Sequence, residues 1–343
     1  MTPQPLPRQT AHDADKRPFI SVVIPTFRRP DIILRAIDSV LAQDFQDWEL
    51  IVSDDEGPTG KTWEIVSELA RSEFRIRLVE NFRGNGQVEN TNNAMLSGAG
   101  RWIKPLHDDD WLAPGALSTF AMVAERHPSA AFLTCAVNSI FDDRVKMRTP
   151  PRRQNLLATY SSQECLKDLY LVRETRRLGI VPSTLLINAE VVRAGCLMRH
   201  YMSISYGVDQ LFFIDLACRG DMIVIRDGLV FYDATSHPSI TATPLKQQRD
   251  TETLHLKRLI WSLLEDTRGL PSPETVARAL RIARLPGNFR QQPLFNTVRD
   301  LANCFHPSII KLMCSTAMAR ANAISKNQHV LLNKQKRTLA SVR

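Results

Sequence analysis

The sequence predicts an α/β fold, built on a mixed, mainly parallel sheet that helices flank. Two observations predict it. Short apolar segments rich in Val and Ile alternate with stretches of helical periodicity over residues 19–111, a pattern typical of βαβ units. Two of these apolar segments run directly into clusters of aspartate, at the ends of strands where such folds bind ligands.

The front half of the chain supplies the alternating pattern. The first segment, 19–24, is short, apolar and β-branched, as in a fully buried strand, and Pro25 removes a donor at its end. Pro30 suits a first helical position, and apolar residues follow at helical spacing to about residue 43. The remaining predictions in this half are strands at 48–55, 75–81 and 101–106, with helices at 61–71 and about 87–98.

The later part of the chain is predicted to continue the same domain. A helix near 114–126, a strand at 130–137, a strand at 183–188, a helix at 208–220 and a strand at 228–234 are expected, and 141–160 is expected to be a surface loop. We therefore divide the chain into a disordered leader at 1–17, a catalytic domain at 18–244, and a basic, mainly helical extension at 245–343.

The aspartates that follow the predicted strands carry most of the functional inference. Asp108, Asp109 and Asp110 are consecutive, and like charges at such spacing need a cation to offset them. Mg²⁺ or Mn²⁺ takes oxygen ligands, commonly one or two carboxylates and the phosphates of a substrate. Asp54 and Asp55 end the second strand, where a carboxylate can accept bonds from a nucleobase or a ribose. In parallel sheets ligands bind at the carboxyl ends of the strands, so one pocket is expected there.

These motifs, taken in order, resemble the inverting family 2 glycosyltransferases of the GT-A fold. The resemblance rests on IPTFRR after the first strand, SVLAQ at the end of the first helix, ELIVSDD, NTNNAMLSGAG, and LHDDDWL, all within residues 21–111. It implies transfer of a sugar from a nucleoside-diphosphate sugar, with a UDP-sugar favoured, to the hydroxyl of a saccharide or lipid-linked acceptor. It also implies Mg²⁺ or Mn²⁺ as cofactor.

The resemblance assigns roles to matching positions of this sequence. Asp209, in GVDQLFF, matches the general base, and Asp109 matches the metal-binding aspartate, with His237 as an additional candidate for the metal. The remaining matches are to the nucleotide-sugar pocket: Pro25, Thr26, Phe27, Asp54, Asp55, Asn92 and Asp108. The sequence departs from the family pattern at His107, which stands where the first aspartate of the D-x-D motif is usual. Because Mg²⁺ prefers oxygen, we do not expect His107 to be a ligand.

Other function classes fit less well. The glycine-free first turn argues against a dinucleotide-dependent oxidoreductase. The basic tail has only four aromatic residues beyond 245, so no nucleic-acid partner is expected. A catalytically inactive relative that acts as a binding or scaffold protein stays open as the alternative.

Charge is distributed unevenly along the chain. The net charge is +8, yet from residue 245 onward Lys and Arg outnumber Asp and Glu by 17 to 6. Such a tail points to an anionic membrane surface or to an ordinary solvated helical face. No run of eighteen apolar residues and no signal peptide is present, so we expect a cytoplasmic protein. Peripheral docking on the inner face of the plasma membrane through the tail is one hypothesis, and packing of the tail's apolar positions against the catalytic domain is the favoured alternative.

Overall fold

A computed structural model describes residues 17–141, 144–147, 156–171, 179–201, 204, 207–233 and 246–283. The chain divides into two compact units, Met1–Pro244 and Leu245–Arg343. Residues 1–16 of the predicted leader lie outside the described residues, and so does His237.

The first unit is organised around one ten-stranded sheet in the order β3-β2-β1-β4-β9-β6-β10-β5, with β7 paired to β6 and β8 paired to β10. Pairing is parallel among β3, β2, β1 and β4 and between β6 and β10, whereas the other ladders are antiparallel. The strands are β1 (Ile20–Thr26), β2 (Trp48–Asp54), β3 (Ile76–Glu80), β4 (Trp102–Pro105), β5 (Trp111–Leu112), β6 (Phe132–Phe141), β7 (Arg144–Met147), β8 (Leu157–Tyr160), β9 (Leu185–Asn188) and β10 (Met222–Asp233).

Helices cover the sheet. In the first unit they are α1 (Ile33–Leu41), α2 (Lys61–Ser72), α3 (Gln87–Ser97), α4 (Ala116–Arg126), α5 (Ser162–Leu171), α6 (Ala189–Arg193) and α7 (Val208–Arg219). The second unit holds α8 (Lys246–Leu263) and α9 (Pro273–Ala283), joined by the Arg258 guanidinium, which donates to Glu274 Oε1 at 2.9 and 3.0 Å. Among the described helices, none combines the length and the hydropathy that a bilayer crossing requires.

The central strands are buried on both faces, which explains their unbroken apolar sequences. Alternate residues of β1 contribute to one core cluster, and apolar residues spaced along α1 contribute to the same cluster. These residues, all 0% exposed, are Ile20, Val22, Ile24, Ile33, Ile37 and Val40. Burial of each such side chain stabilises the fold by about 1.5–3 kcal/mol. The predicted parallel sheet with flanking helices is therefore confirmed for the part that carries the acidic clusters.

Several predicted boundaries were wrong. The predicted loop at 141–160 contains strands β7 and β8, which pair with β6 and β10. The predicted strand at 228–234 begins earlier, at Met222. β1 does not end before Pro25 but continues to Thr26. Beyond Val23 it pairs with β2 and no longer with β4, so Pro25 needs no N–H donor on the β4 side.

Candidate active site

Thr26, the last residue of β1, connects the two acidic clusters. Its hydroxyl donates to Asp108 Oδ2 at 2.8 Å, and its main-chain carbonyl accepts the Asp55 N–H at 3.0 Å. Thr26 is 2% exposed, so both hydrogen bonds are shielded from water. The strand ends of β2 and β1 and the turn after β4 therefore meet at one edge of the sheet, as the sequence predicts.

A buried asparagine supports this edge from α3. Asn90 Nδ2 donates to the carbonyls of Thr26 and Ser53 at 2.9 and 3.1 Å, and its Oδ1 accepts the Ser53 hydroxyl at 2.6 Å. Sequence reasoning missed Asn90 and chose Asn92 from the same helix. Both ends of the Asn92 amide bond to the main chain of Met198, each at 2.9 Å. These two bonds fix the Asn92 side chain, and its predicted contact with a nucleotide sugar stays a prediction.

The two aspartates at the end of β2 have different surroundings. Asp54 is 0% exposed, its Oδ1 accepts the Glu56 N–H at 3.0 Å, and burial raises its pKa. Its side chain is enclosed in the described residues, and the predicted contact of Asp54 with a nucleotide stays a prediction. Asp55 is only partly buried and accepts Asn81 Nδ2 at 2.6 Å and the Gly86 N–H at 2.9 Å.

Those two bonds fasten the loop 81–86 beside the candidate nucleotide pocket. Gly86 has a φ of 117°, which non-glycine residues rarely adopt, so its N–H can reach the carboxylate only because it is glycine. An ionised carboxylate offers about four acceptor sites, so Asp55 can accept further hydrogen bonds from a ligand.

Phe27, just past β1, leaves 49% of its surface exposed, and the Arg28 guanidinium lies 4.9 Å from its ring centroid. Pro25 is partly buried within the strand.

Arg29, which sequence reasoning did not select, neutralises part of the second cluster. Its Nη1 donates to Asp108 Oδ1 and to Asp109 Oδ2, both at 2.9 Å. Burial opposes the positive charge, but the two carboxylates outweigh it and raise the pKa of Arg29. Burial also raises the pKa of Asp108, and the Arg29 charge opposes that rise. Three adjacent carboxylates were the available signal that a nearby cation is needed.

The turn 107–110 carries a second group of ligand-type atoms. It is closed by the Asp110 N–H, which donates to the His107 carbonyl at 3.1 Å. His107, Asp109 and Asp110 each offer one ligand atom, and these three atoms lie within 4.8 Å of one another. Burial raises the pKa of Asp110 to about 7, while His107 opposes the rise. One imidazole and two carboxylates at this spacing suit a divalent cation.

Asp209 opens α7 and belongs to the same region. Its Oδ1 accepts the Gln210 N–H at 2.8 Å. Burial raises the pKa of Asp209, and His107 is close enough for its charge to oppose that rise. A carboxylate with a raised pKa is a better proton acceptor near neutral pH than an ordinary surface aspartate.

The far wall of the site is an aromatic stack that sequence reasoning also missed. The Arg35 guanidinium lies 3.8 Å from the Trp111 ring centroid, and Trp111 stacks on Phe231 at 5.3 Å with an angle of 10°. Arg35 also donates to the Asp109 carbonyl at 3.0 Å and to Asp233 Oδ2 at 3.1 Å. This stack ties the aspartate turn to the end of β10.

Residues 21–180 match the family model described as Glycosyl transferase family 2. The chain carries a domain of this family. Two solved structures share the fold of the family 2 domain. Staphylococcus aureus TarS in complex with UDP-GlcNAc superposes with a TM-score of 0.55 at 17% identity, covering 78% of this chain and 72% of TarS. The mannosyltransferase PcManGT from Pyrobaculum calidifontis, in complex with GDP-Man and Mn²⁺, gives 0.50 at 17% identity, covering 90% and 87%.

Curated relatives match about a third of the chain. The Campylobacter jejuni GalNAc(5)-diNAcBac-PP-undecaprenol beta-1,3-glucosyltransferase is 37% identical over 122 residues, which are 35% of this chain and 39% of that protein. The Escherichia coli UDP-Glc:alpha-D-GlcNAc-diphosphoundecaprenol beta-1,3-glucosyltransferase WfgD is 33% identical over 96 residues, 28% and 37% of the two chains. The chain thus spans about two-fifths of the length of these relatives. The predicted family and GT-A fold class are confirmed.

Proposed function

We propose that this protein transfers a hexosyl or hexosaminyl group from a nucleoside-diphosphate sugar to an acceptor hydroxyl, with inversion at the anomeric carbon. The observation that carries the proposal is the pair of hydrogen bonds that Thr26 makes to Asp55 and Asp108, which holds both aspartates at one edge of the sheet. A nucleotide sugar needs both clusters at once, one for the nucleoside and one for the diphosphate.

The nucleoside end belongs to the Asp55 side of the pocket. Asp55, held by Asn81 and Gly86, would accept a base or ribose donor, and the exposed ring of Phe27 offers a surface on which a base can stack. Thr26 and Pro25 would shape the floor of the pocket, and Asp108 would lie toward the ribose and sugar. A UDP-sugar is the favoured donor, and the TarS complex contains one such compound.

The diphosphate end belongs to the aspartate turn. Asp109 and Asp110, with His107 beside them, are the described residues whose ligand atoms converge, so they would hold Mg²⁺ or Mn²⁺. When bound, such an ion supplies positive charge against the charge that builds on the departing diphosphate. His237, also predicted as a metal contact, lies outside the described residues and stays a prediction.

The reaction follows as a single in-line displacement. Asp209 takes the proton of the acceptor hydroxyl while that oxygen forms its bond to the anomeric carbon. The bond from the anomeric carbon to the phosphate oxygen breaks, its electron pair leaves with the nucleoside diphosphate, and the anomeric centre inverts. Arg29, already paired with Asp108 and Asp109, keeps the cluster compatible with a second anion.

The acceptor belongs to the proposal as well. Both curated relatives act on undecaprenyl-diphosphate glycans, as their names state. A saccharide or lipid-linked acceptor in surface polysaccharide or glycolipid assembly follows for this chain. Docking of the basic region 245–343 on the anionic inner face of the plasma membrane would bring the enzyme to such a lipid.

A donor screen with a matched pair of variants tests the proposal. UDP-, GDP- and TDP-sugars are each incubated with the full chain and Mn²⁺ or Mg²⁺, and release of nucleotide and formation of glycoside are measured. Asp209→Asn should lower turnover by about 10²–10⁴-fold, the usual contribution of a positioned base, while donor affinity is retained. Asp221→Asn, an exposed position, is the control and should leave turnover unchanged.

The two outcomes of this screen separate the proposal from its alternative. Normal turnover of Asp209→Asn would remove Asp209 from the role of base. Tight binding of a nucleotide sugar with no transfer or hydrolysis of any donor would instead favour a catalytically inactive binding or scaffold protein.

A further inference from the structure

His107 has a buried nitrogen that no described residue uses. Its main-chain N–H donates to the Ser183 hydroxyl oxygen at 3.0 Å, which fixes the backbone of the turn. Its side-chain Nε2 is buried and has no hydrogen-bond partner among the described residues. Buried polar atoms are nearly always paired, so an unpaired imidazole nitrogen beside carboxylates indicates that a ligand completes the site.

Asp110 gives a second, independent indication. The residue is 1% exposed, and neither of its carboxylate oxygens has a hydrogen-bond partner in normal geometry within the described part of the chain. The Ser183 hydroxyl is near enough to influence the carboxyl group but does not meet that geometry. A buried carboxylate without a hydrogen-bond partner is destabilising, so a cation at this position would stabilise it.

Arg29 does not supply the missing partner. Its guanidinium bonds to Asp108 and Asp109, the other two carboxylates of the turn. One ring nitrogen of His107, one unpaired Asp110 oxygen and one Asp109 oxygen lie within 4.8 Å of one another, a separation that one ion can bridge. One imidazole and two carboxylates form a ligand set that suits a divalent metal ion.

We infer that His107 is a nitrogen ligand of the divalent cation, beside Asp109 and Asp110, and that it gives this site a preference for transition-metal ions over Mg²⁺. The inference rests on the proposed function for the presence of a cation at this edge. Imidazole suits first-row transition ions, whereas Mg²⁺ takes oxygen ligands and loses its water reluctantly. It differs from the sequence-based expectation that His107 is not a ligand, because that expectation considered the preference of Mg²⁺ for oxygen.

Pulsed electron paramagnetic resonance of the Mn²⁺-loaded full chain tests the ligand directly. Nitrogen coordination should give a hyperfine modulation from ¹⁴N, and labelling the histidines with ¹⁵N should change its frequency. His107→Asp should abolish the modulation. His127→Gln, which alters the histidine directly after α4, should retain it. The spectra are recorded with and without UDP. Mn²⁺ bound without nitrogen modulation, or no Mn²⁺ binding under either condition, would overturn the inference.

Titration calorimetry tests the selectivity. Mn²⁺ and Co²⁺ should bind the native chain at least about tenfold more tightly than Mg²⁺, and His107→Asp should reduce that ratio by about 10-fold or more, since ligand changes alter affinity on this scale. An unchanged ratio would contradict the inference. Sugar transfer without nitrogen coordination would leave the proposed function standing and remove this inference. Nitrogen-bound Mn²⁺ with no consumption of any donor would support this inference and contradict the proposed function.

Discussion

Lys104 is a fully buried lysine beneath the candidate site, and Lys104→Met should remove a defined pH dependence of stability. The residue lies in β4 and is 0% exposed. Its ammonium donates to the Pro105 carbonyl at 2.8 Å and to the Ser183 carbonyl. Because the Ser183 hydroxyl accepts the His107 N–H, Lys104 also supports the turn that carries the ligands.

The magnitude follows from the proton affinity of the buried amine. Burial lowers the pKa of Lys104 from 10.5 to about 8. Between these two values the unfolded chain binds the proton and the native chain does not, so native stability rises with pH across this window. Below pH 8 the lysine is charged in both states and the gain is absent. At 1.36 kcal/mol for each pH unit, the full gain is about 3 kcal/mol.

Denaturant unfolding of both proteins at pH 7.5 and 10.5, followed by tryptophan fluorescence, measures this gain. The free energy of unfolding of the native chain minus that of Lys104→Met should increase by about 3 kcal/mol from the lower to the higher pH. The Cys135 thiol, whose pKa burial raises to about 12, is present in both proteins, so its own effect largely cancels in the difference. Lys61→Met, at an exposed lysine, is the control. A difference that stays constant with pH would refute the reasoning that Lys104 titrates as a buried amine.

Three further predictions concern contacts around the site. Arg29→Ala should lower the melting temperature of the metal-free chain, because it leaves the buried Asp108 carboxylate uncompensated, and Mn²⁺ should raise that temperature more in the variant than in the native chain. Asn90→Ala should lower the free energy of unfolding by about 1–3 kcal/mol in denaturant titration, since the buried carbonyls of Thr26 and Ser53 each lose the Asn90 donor. Gly100→Ala should cost about 1–3 kcal/mol in the same assay, because its Cβ would lie 2.7 Å from the Ser21 main-chain nitrogen.

Two surface variants serve as controls for these measurements. Arg28→Ala removes an exposed arginine whose partner is Glu56, and it should change neither the melting temperature nor the response to Mn²⁺ by a comparable amount. An equal response of Arg28→Ala and Arg29→Ala would mean that the Asp108 pairing is not the cause. Met122→Ala, on an exposed position of α4, is the control for Asn90→Ala and Gly100→Ala.

Two pairs of neighbouring residues show what the sequence alone could not predict. Asp54 and Asp55 look equivalent in the sequence, yet Asp54 is the last residue of the buried strand β2 and is 0% exposed, whereas Asp55 lies just past that strand and is only partly buried. Asn90 and Asn92 also look equivalent, but their positions on α3 send one amide to the β1 and β2 carbonyls and the other to Met198. A pattern of residue types does not state which member of a pair points to the site.

The sequence by itself determined the alternating strands and helices, the family resemblance, and the placement of two acidic clusters at strand ends, because periodicity and motif order are local properties. Only the tertiary structure decided that Thr26 joins those clusters, that Arg29 pairs with Asp108 and Asp109, and that Lys104 supports the turn from below. These contacts join residues about 80 positions apart in the chain. The Thr26 and Arg29 contacts exist because parallel pairing aligns β1 with β4, and the Lys104 contact exists because β9, which follows Ser183, pairs with β4. No local pattern encodes these alignments.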